Sequence, residues 1–264
     1  KYLKELKEKG SSLKHQSFAK EKGYNPTLHE TSLAKTFALN WDELDNDLSK
    51  QIFKTCGYCA PNTPIPWEIL EKTSEEDVDI EMAVSLLEDL GLIQNDDQGP
   101  ILHPLLCEFA QIRDHEQENL SNLTDVLADL TNGAVNTRYP EKCQPFQPHI
   151  PIVARIAEDA EIESAGSAWN AYGRILDVIA NHAGAKAAFE RALAIDEAVF
   201  GPDHPNVGRD VNNLGMVLNA LGDHVGAKAA YERVLAIIEK VSGPDHPNIA
   251  TLVNNLGSVL HDLG

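Results

Sequence analysis

Over residues 167–264 the apolar and small positions recur every 42 residues. Ala183-Gly184-Ala185-Lys186-Ala187-Ala188-Phe189-Glu190-Arg191 returns as Val225-Gly226-Ala227-Lys228-Ala229-Ala230-Tyr231-Glu232-Arg233. Gly201-Pro202-Asp203-His204-Pro205-Asn206 returns at 243–248, and Val211-Asn212-Asn213-Leu214-Gly215 returns as Val253-Asn254-Asn255-Leu256-Gly257. A degenerate copy, Trp169-Asn170-Ala171-Tyr172-Gly173, stands one period upstream. Three markers at one offset identify a repeated structural unit. Within a unit the pattern predicts two helices. One runs over about 210–221 and stops at Gly222, where a left-handed cap suits glycine. The other runs over about 225–241 and is stopped by the GPDHPN loop. Gly215 lets the paired helix come close, Ala227, Ala229 and Ala230 do the same from the other side, and Tyr231 fills the notch. Such a unit buries its apolar face only against its neighbours, so two and a half copies would be marginal alone. The sequence closes on His261-Asp262-Leu263-Gly264 inside the first helix of a third unit, and the expectation is a piece of a longer array.

Residues 32–114 carry a different pattern. Apolar positions over 32–44 fall on one helical face, and a second helix is predicted over about 46–59. A turn broken by Pro61, Pro64 and Pro66 leads into Trp67-Glu68-Ile69-Leu70. A third clear helix over 81–90 is stopped by Gly91. Leu92-Ile93-Gln94 and Pro100-Ile101-Leu102-His103 flank the polar stretch Asn95-Asp96-Asp97-Gln98-Gly99, which signals a hairpin. A last helix begins near Pro104, a favoured first-turn residue, and carries Leu105, Leu106, Phe109 and Ile112. Three helices, a two-stranded wing and a closing helix predict a winged helix over 31–115. Residues 116–166 hold two further helical stretches, about 119–130 and 150–162, joined by an irregular Pro-rich 139–148. They are expected to form a degenerate hairpin that caps the repeats and joins them to the preceding domain. The fold class is therefore mainly α: a winged-helix domain with a small β wing, then an α-α superhelix.

The 42-residue unit resembles the tetratricopeptide repeat in its longer form, the variety of kinesin light chains and many bacterial signalling ATPases. The resemblance covers 167–264 and implies that the first helix of each unit lines a concave groove. Asn170, Asn212 and Asn254 stand at equivalent positions on those helices. Residues four apart share a helical face, which adds Arg174, Met216 and Ser258. Ser167, Arg209 and Thr251 lie one turn earlier; Asp177, Asn219 and His261 lie about one turn later. By resemblance, an asparagine ladder in the groove clamps the backbone of an extended peptide through its amide donor and acceptor. The alternative is that these asparagines cap and bridge neighbouring helices. The candidate groove residues are Asn170, Arg174, Arg209, Asn212, Met216, Asn219, Asn254 and Ser258, with a protein or peptide as the partner. The paired lysines with which some tetratricopeptide domains hold a C-terminal carboxylate are missing, so that specificity is not expected.

The 32–44 segment, the turn Cys56-Gly57-Tyr58-Cys59-Ala60-Pro61, the run Leu86-Leu87-Glu88-Asp89-Leu90-Gly91-Leu92-Ile93 and Leu102-His103-Pro104-Leu105-Leu106 together resemble the winged-helix domain of NB-ARC-type STAND ATPases. That implies a nucleotide-binding domain before this one, with residues 1–30 as the tail of a helical subdomain and a linker. It also implies ADP or ATP and Mg²⁺ in the parent protein. In that family a histidine of a Met-His-Asp type signature reaches the β-phosphate of ADP and holds the protein closed. Leu102-His103-Pro104 aligns with the signature, with Leu for Met and Pro for Asp, which makes His103 the candidate nucleotide sensor. Its alternative role is to fix the wing to the next helix.

Charge narrows the partners. The 264 residues carry 22 Lys+Arg against 41 Asp+Glu, a net charge of -19. Residues 1–30 hold seven Lys and four Glu, whereas 31–115 hold five basic and seventeen acidic residues. A winged helix with that acidic balance lacks the cations that displace counterions from DNA, and an anionic membrane is disfavoured for the same reason. The alternating charges of Lys1-Tyr2-Leu3-Lys4-Glu5 do not read as a signal peptide, and no apolar run approaches the ~18 residues of a membrane span. Four cysteines are too few and too scattered for a disulfide framework, which points to the cytoplasm. The Cys56/Cys59 spacing has no matching second pair for a metal, and core thiols are expected. No GxxxxGK[ST] loop occurs, so the phosphate cradle is missing from these residues and ATP hydrolysis is not expected of them. No HExxH or GxSxG is present, no cofactor is expected, and His204 and His246 read as turn residues. The expected function is a non-catalytic, regulatory, protein-binding portion of a STAND/NB-ARC signalling ATPase, with the nucleotide domain as an intramolecular partner. The alternative is a free-standing tetratricopeptide adaptor.

Overall fold

The structure is a computed structural model and describes residues 37–137, 139–243 and 247–264. The expected tail over 1–30, the first residues of the 32–44 helix and His246 lie outside the described residues. The chain divides into two compact units, one through Asn119 and one from Leu120 onward.

The first unit contains α1 (37–43), α2 (Asp47–Gly57), α3 (Trp67–Thr73), α4 (Ile80–Asp89), β1 (Gln94–Asp96), β2 (Gly99–Ile101) and α5 (Pro104–Ile112). Helix starts are set by side-chain acceptors that satisfy otherwise orphaned N–H groups. Asn46 accepts from the Ser49 N–H at 2.8 Å, and Asp79 from the Met82 N–H at 2.8 Å. Trp41, Phe53 and Phe109 meet in the core, with ring centroids 5.5, 6.1 and 6.3 Å apart. Cys56, Cys59 and Cys107 are buried in this unit, and burial raises all three thiols, Cys107 to about 12. They stay protonated at neutral pH, so the CxxC spacing belongs to the core. No cluster of three or more metal-ligating side chains occurs among the described residues.

The hairpin is tighter than its sequence suggests. Asn95 and Asp96 join the first strand, which pairs antiparallel as Gln94↔Ile101, Asn95↔Pro100 and Asp96↔Gly99. The turn shrinks to Asp97-Gln98, with the Gln98 N–H donating to Asp96 Oδ1 at 2.9 Å. Gly99 has φ +135°, and a Cβ there would lie 1.8 Å from the Ile65 carbonyl oxygen. The crowding arises because residues 62–65 run beside β2: Asn62 N donates to Leu102 O at 2.8 Å and Ile65 N to Pro100 O at 2.9 Å.

The second unit continues α6 (Glu118–Asn136), which crosses the division, into a 3₁₀ turn (Pro140–Lys142), α7 (Ile150–Asp159) and α8 (Ala165–Val178). It then runs through α9 (His182–Phe200), α10 (Pro205–Ala220), α11 (His224–Ser242) and α12 (Asn248–Leu263). Helices α8–α9 and α10–α11 are the two-helix units, and α12 repeats α10. Their caps repeat as well: Asn181 accepts from the Gly184 N–H at 3.1 Å and Asp223 from the Gly226 N–H at 2.9 Å. Helix α10 starts at Pro205, five residues earlier than its apolar pattern suggests. His204 caps it, Nδ1 accepting from the Asn206 N–H at 3.2 Å, and Pro205 fills the first turn. No described helix is long and apolar enough to cross a membrane.

Within each unit the helices meet at a glycine. A Cβ on Gly173 would lie 2.6 Å from the Phe189 ring, and one on Gly215 would lie 3.0 Å from the Tyr231 ring. At Gly257, the third copy, nothing lies within 4 Å. Gly173→Ala is therefore expected to destabilise the chain by roughly 1–3 kcal/mol through overpacking. Gly257→Ala is expected to be neutral, or stabilising by up to about 1 kcal/mol through helix propensity. Urea midpoints of the two variants check this; equal losses would contradict the notch.

Candidate functional site

The stripes identified on the first helices divide into committed and exposed side chains. Asn170 is only 1% exposed. Its Nδ2 donates to Asp210 Oδ1 at 2.7 Å, and its Oδ1 accepts from Asn213 Nδ2 at 3.3 Å. This corrects the expectation that Asn170 lines the groove: it bridges α8 to α10, because the carboxylate it serves is buried. Arg174 donates through Nη1 and Nη2 to Asn132 and Asn136 of α6, both at 2.6 Å. Burial, with Arg209 nearby, lowers the Arg174 pKa. Asn219 Oδ1 lies 2.9 Å from His224 Nδ1, and one period earlier Asp177 Oδ1 lies 3.1 Å from His182 Nδ1. These pairs clip the end of each first helix to the start of the second.

Arg209 turns back from α10. Its Nη2 lies 3.2 Å from Asp196 Oδ2, its Nε 3.1 Å from Asp210 Oδ1 and its Nη1 3.4 Å from Ser167 Oγ. Asp196 and Asp210 are 1% and 0% exposed. Removing water is the largest cause raising both carboxyls; Arg209 opposes it, and at Asp210 the Asp196 charge adds to it. Asp210 Oδ2 is buried and meets no hydrogen-bond partner among the described residues. A proton shared between the two raised carboxyls would supply the missing partner. One shared proton leaves one negative charge for one guanidinium. Gly166 makes room, since a Cβ there would lie 1.9 Å from Asp196 Oδ1.

The remaining stripe residues face outward. Met216 is 43% exposed, Asn254 and Ser258 are exposed, and Asn212 is half-buried. The Asn212 amide faces only the Met216 sulfur, at 3.8 Å, among its described contacts, and a thioether is a weak acceptor. Beside Asn212 an open cleft of about 420 Å³ lies between α10, α11 and α12. The sequence reading missed Asp196 and Asp210 and the partners of Arg174 on α6. A signal was present: one period after the two aspartates stand Ile238 and Leu252, so these charges occupy apolar phases of the repeat.

In the first unit His103 is exposed and caps α5, its Nδ1 accepting from the Leu105 N–H at 3.3 Å. The ring is held on the helix start just as His204 is on α10, each followed by a first-turn proline. Nε2 takes no part in the cap.

Family models of the tetratricopeptide repeat match residues 173–206 and 210–264. The chain carries tetratricopeptide repeats. No curated protein matches it. Among solved structures it is similar to BtubC (BKLC) from P. vanneervenii, with 18% identity over 70% of this chain and 73% of that one and a TM-score of 0.49. It is also similar to a Signal Transduction ATPase with Numerous Domains (STAND) protein with a tetratricopeptide repeat sensor from Pyrococcus horikoshii. There the identity is 11%, the coverage 91% of this chain and 51% of that one, and the TM-score 0.42. The chain thus spans about half the length of that protein. Tetratricopeptide repeats are non-catalytic protein-interaction modules.

The shared proton has a measurable consequence. A carboxyl whose folded pKa is raised stabilises the fold below its unfolded pKa, about 3.9, and that contribution is lost as pH rises through the folded value. Asp210→Asn keeps a donor toward Asp196 and an acceptor toward Asn170 at every pH. Wild-type stability, relative to Asp210→Asn, is expected to fall by about 1–3 kcal/mol from pH 5 to pH 9. Parallel curves from denaturant unfolding would show that the carboxyl pair is not protonated.

Proposed function

We propose that the chain is the regulatory and protein-binding portion of a STAND/NB-ARC-type signalling ATPase. Its repeats hold an extended peptide segment of a partner along α10 and α12, and the first unit acts as a winged helix that relays nucleotide state. The observation that carries the binding half is that half-buried Asn212 and exposed Asn254 stand at equivalent positions, apart from the buried cluster that engages Asn170. Each offers an amide donor and acceptor, the pair of groups needed to bond a peptide backbone. The relay half rests on the order helix–hairpin–helix in the first unit and on His103, whose cap leaves Nε2 available to a phosphate of a preceding nucleotide domain. A partner that favours the open arrangement then shifts the population toward it.

A second reading, a free-standing adaptor, is favoured by one observation: capping α5 already gives His103 a structural role that needs no nucleotide. The adjoining upstream coding sequence separates the two. A GxxxxGK[ST] loop after a strand supports the switch, and in that protein His103→Ala is expected to loosen ADP. Its absence leaves the adaptor.

The binding half makes its own prediction. Asn212→Ala with Asn254→Ala is expected to change stability by less than ~0.5 kcal/mol and to weaken a library-selected peptide about tenfold or more. Asn170→Ala is expected to cost about 1–3 kcal/mol of stability, because it strips a partner from a buried carboxyl. Unfolding curves with peptide titrations decide; a stability loss from Asn212 and Asn254 with no change in binding would sink the groove reading.

A further inference from the structure

Two junctions in the repeats are built on equivalent positions and end differently. Where α8, α9 and α10 meet stand Gly166, Ser167, Asn170, Asp196, Arg209 and Asp210. One period on, where α10, α11 and α12 meet, their places are taken by Gly208, Arg209, Asn212, Ile238, Thr251 and Leu252. In the first junction Arg209 lies across the space and is held by both carboxyls and the Ser167 hydroxyl. In the second, the counterpart of Arg209 is Thr251, whose side chain is too short to cross. The two carboxyls have become Ile238 and Leu252. The space that Arg209 fills in one copy is left in the other as the 420 Å³ cleft.

We propose that this cleft receives a bulky apolar side chain of an extended peptide, in the place Arg209 occupies one junction earlier, while Asn212 bonds the peptide backbone beside it. The proposal rests on the groove reading above and names the partner's chemistry. Size allows it, since a cleft of about 420 Å³ falls in the ~300–1,000 Å³ range that buries a whole drug-sized ligand and so has room for one bulky side chain. Polarity chooses the group. Val234, Ile237 and Leu252 form the buried wall, at 2%, 4% and 4% exposure, and Val241 stands at the rim, 50% exposed. A cation entering here would meet no carboxylate among the lining side chains, and a buried unpaired charge is strongly unfavourable. An anion gains little either, because Arg209, the charged residue among the lining side chains, is already committed to Asp196 and Asp210. An apolar side chain loses nothing on entry and covers Val241, Ile238 and the buried wall. Asn212 is in position for the backbone because its counterpart Asn170 is spent on Asp210, whereas Leu252 offers Asn212 nothing to bond.

The test selects a random peptide library on the 264-residue chain and measures the selected peptides by fluorescence polarisation. Thr251→Arg and Thr251→Leu fill the cleft from an exposed position, one with charge and one without, and unchanged thermal melts confirm that both fold. The expected result is a shared bulky apolar position in the peptides. Its replacement by Ala or Arg, and each Thr251 variant, weakens binding about tenfold or more. Peptides that bind, are weakened by Asn212→Ala and yet ignore the Thr251 variants would overturn the cleft proposal and leave the groove standing. If the library yields no peptide that binds, the groove reading fails and the cleft falls with it.

Discussion

Arg209 lies between two carboxyls that water cannot reach, and much of the second unit is arranged around that fact. Taking a carboxylate out of water costs several kcal/mol unless charge and hydrogen bonds are returned to it. For Asp210 of α10 and Asp196 of α9 they come from the Arg209 guanidinium, which donates to both, and from the Asn170 amide of α8, which donates to Asp210; the Ser167 hydroxyl of α8 accepts from Arg209 and holds it in place. Burial raises both carboxyls, which favours one shared proton and leaves a single negative charge facing Arg209. Gly166 is required because any larger residue would strike Asp196. The cluster ties α10 to α8 and α9, and it engages Arg209, Asn170 and Ser167 in bonds within the repeats.

Close packing provides the second constraint. Small residues on one helix and an aromatic ring on the next bring α8 to α9 and α10 to α11, with Phe189 and Tyr231 seated over glycines. Trp169 is held in the same fashion from several sides: its Nε1 donates to Glu158 at 2.9 Å and the Arg191 guanidinium lies 4.5 Å from its ring centroid. Because every unit repeats this geometry, the first helices present equivalent stripes. What each stripe can do then depends on whether its side chains are used by the neighbouring helix. On α8 they are used; on α10 Arg209 is used, Asn212 is half-buried beside the cleft and Met216 is exposed; on α12 Asn254 and Ser258 are exposed.

The period, the two-helix unit, the glycine notch and the start of α5 at Pro104 were all legible in the sequence, because each depends on local residues at a fixed offset. Boundaries set by a single cap were not. His204 extends α10 back to Pro205, where Val207 is the one aliphatic residue of the added turn and too little to show a helical period. The hairpin turn was read too long because its length is fixed by Gly99 lying against Ile65, a contact outside the strands themselves. Asn170 was misjudged for a deeper reason. Equivalent sequence positions guarantee equivalent backbone, not equivalent surroundings, and the aspartate that buries Asn170 has a leucine as its counterpart in the next unit. Asp196 and Asp210, taken one at a time, read as solvated helix charges; compared with Ile238 and Leu252, they read as substitutions into an apolar phase.

One junction closed by the chain's own arginine and one left open is the central claim, and the asparagine ladder reports it directly. Hydrogen exchange of the side-chain amides, followed by NMR on the free chain, separates committed from available groups. The Asn170 amide is expected to exchange at least about tenfold more slowly than those of Asn212 and Asn254, which should exchange near the rate of a solvated amide. Three equal rates, or an Asn212 protected as strongly as Asn170, would contradict the division between closed and open junctions.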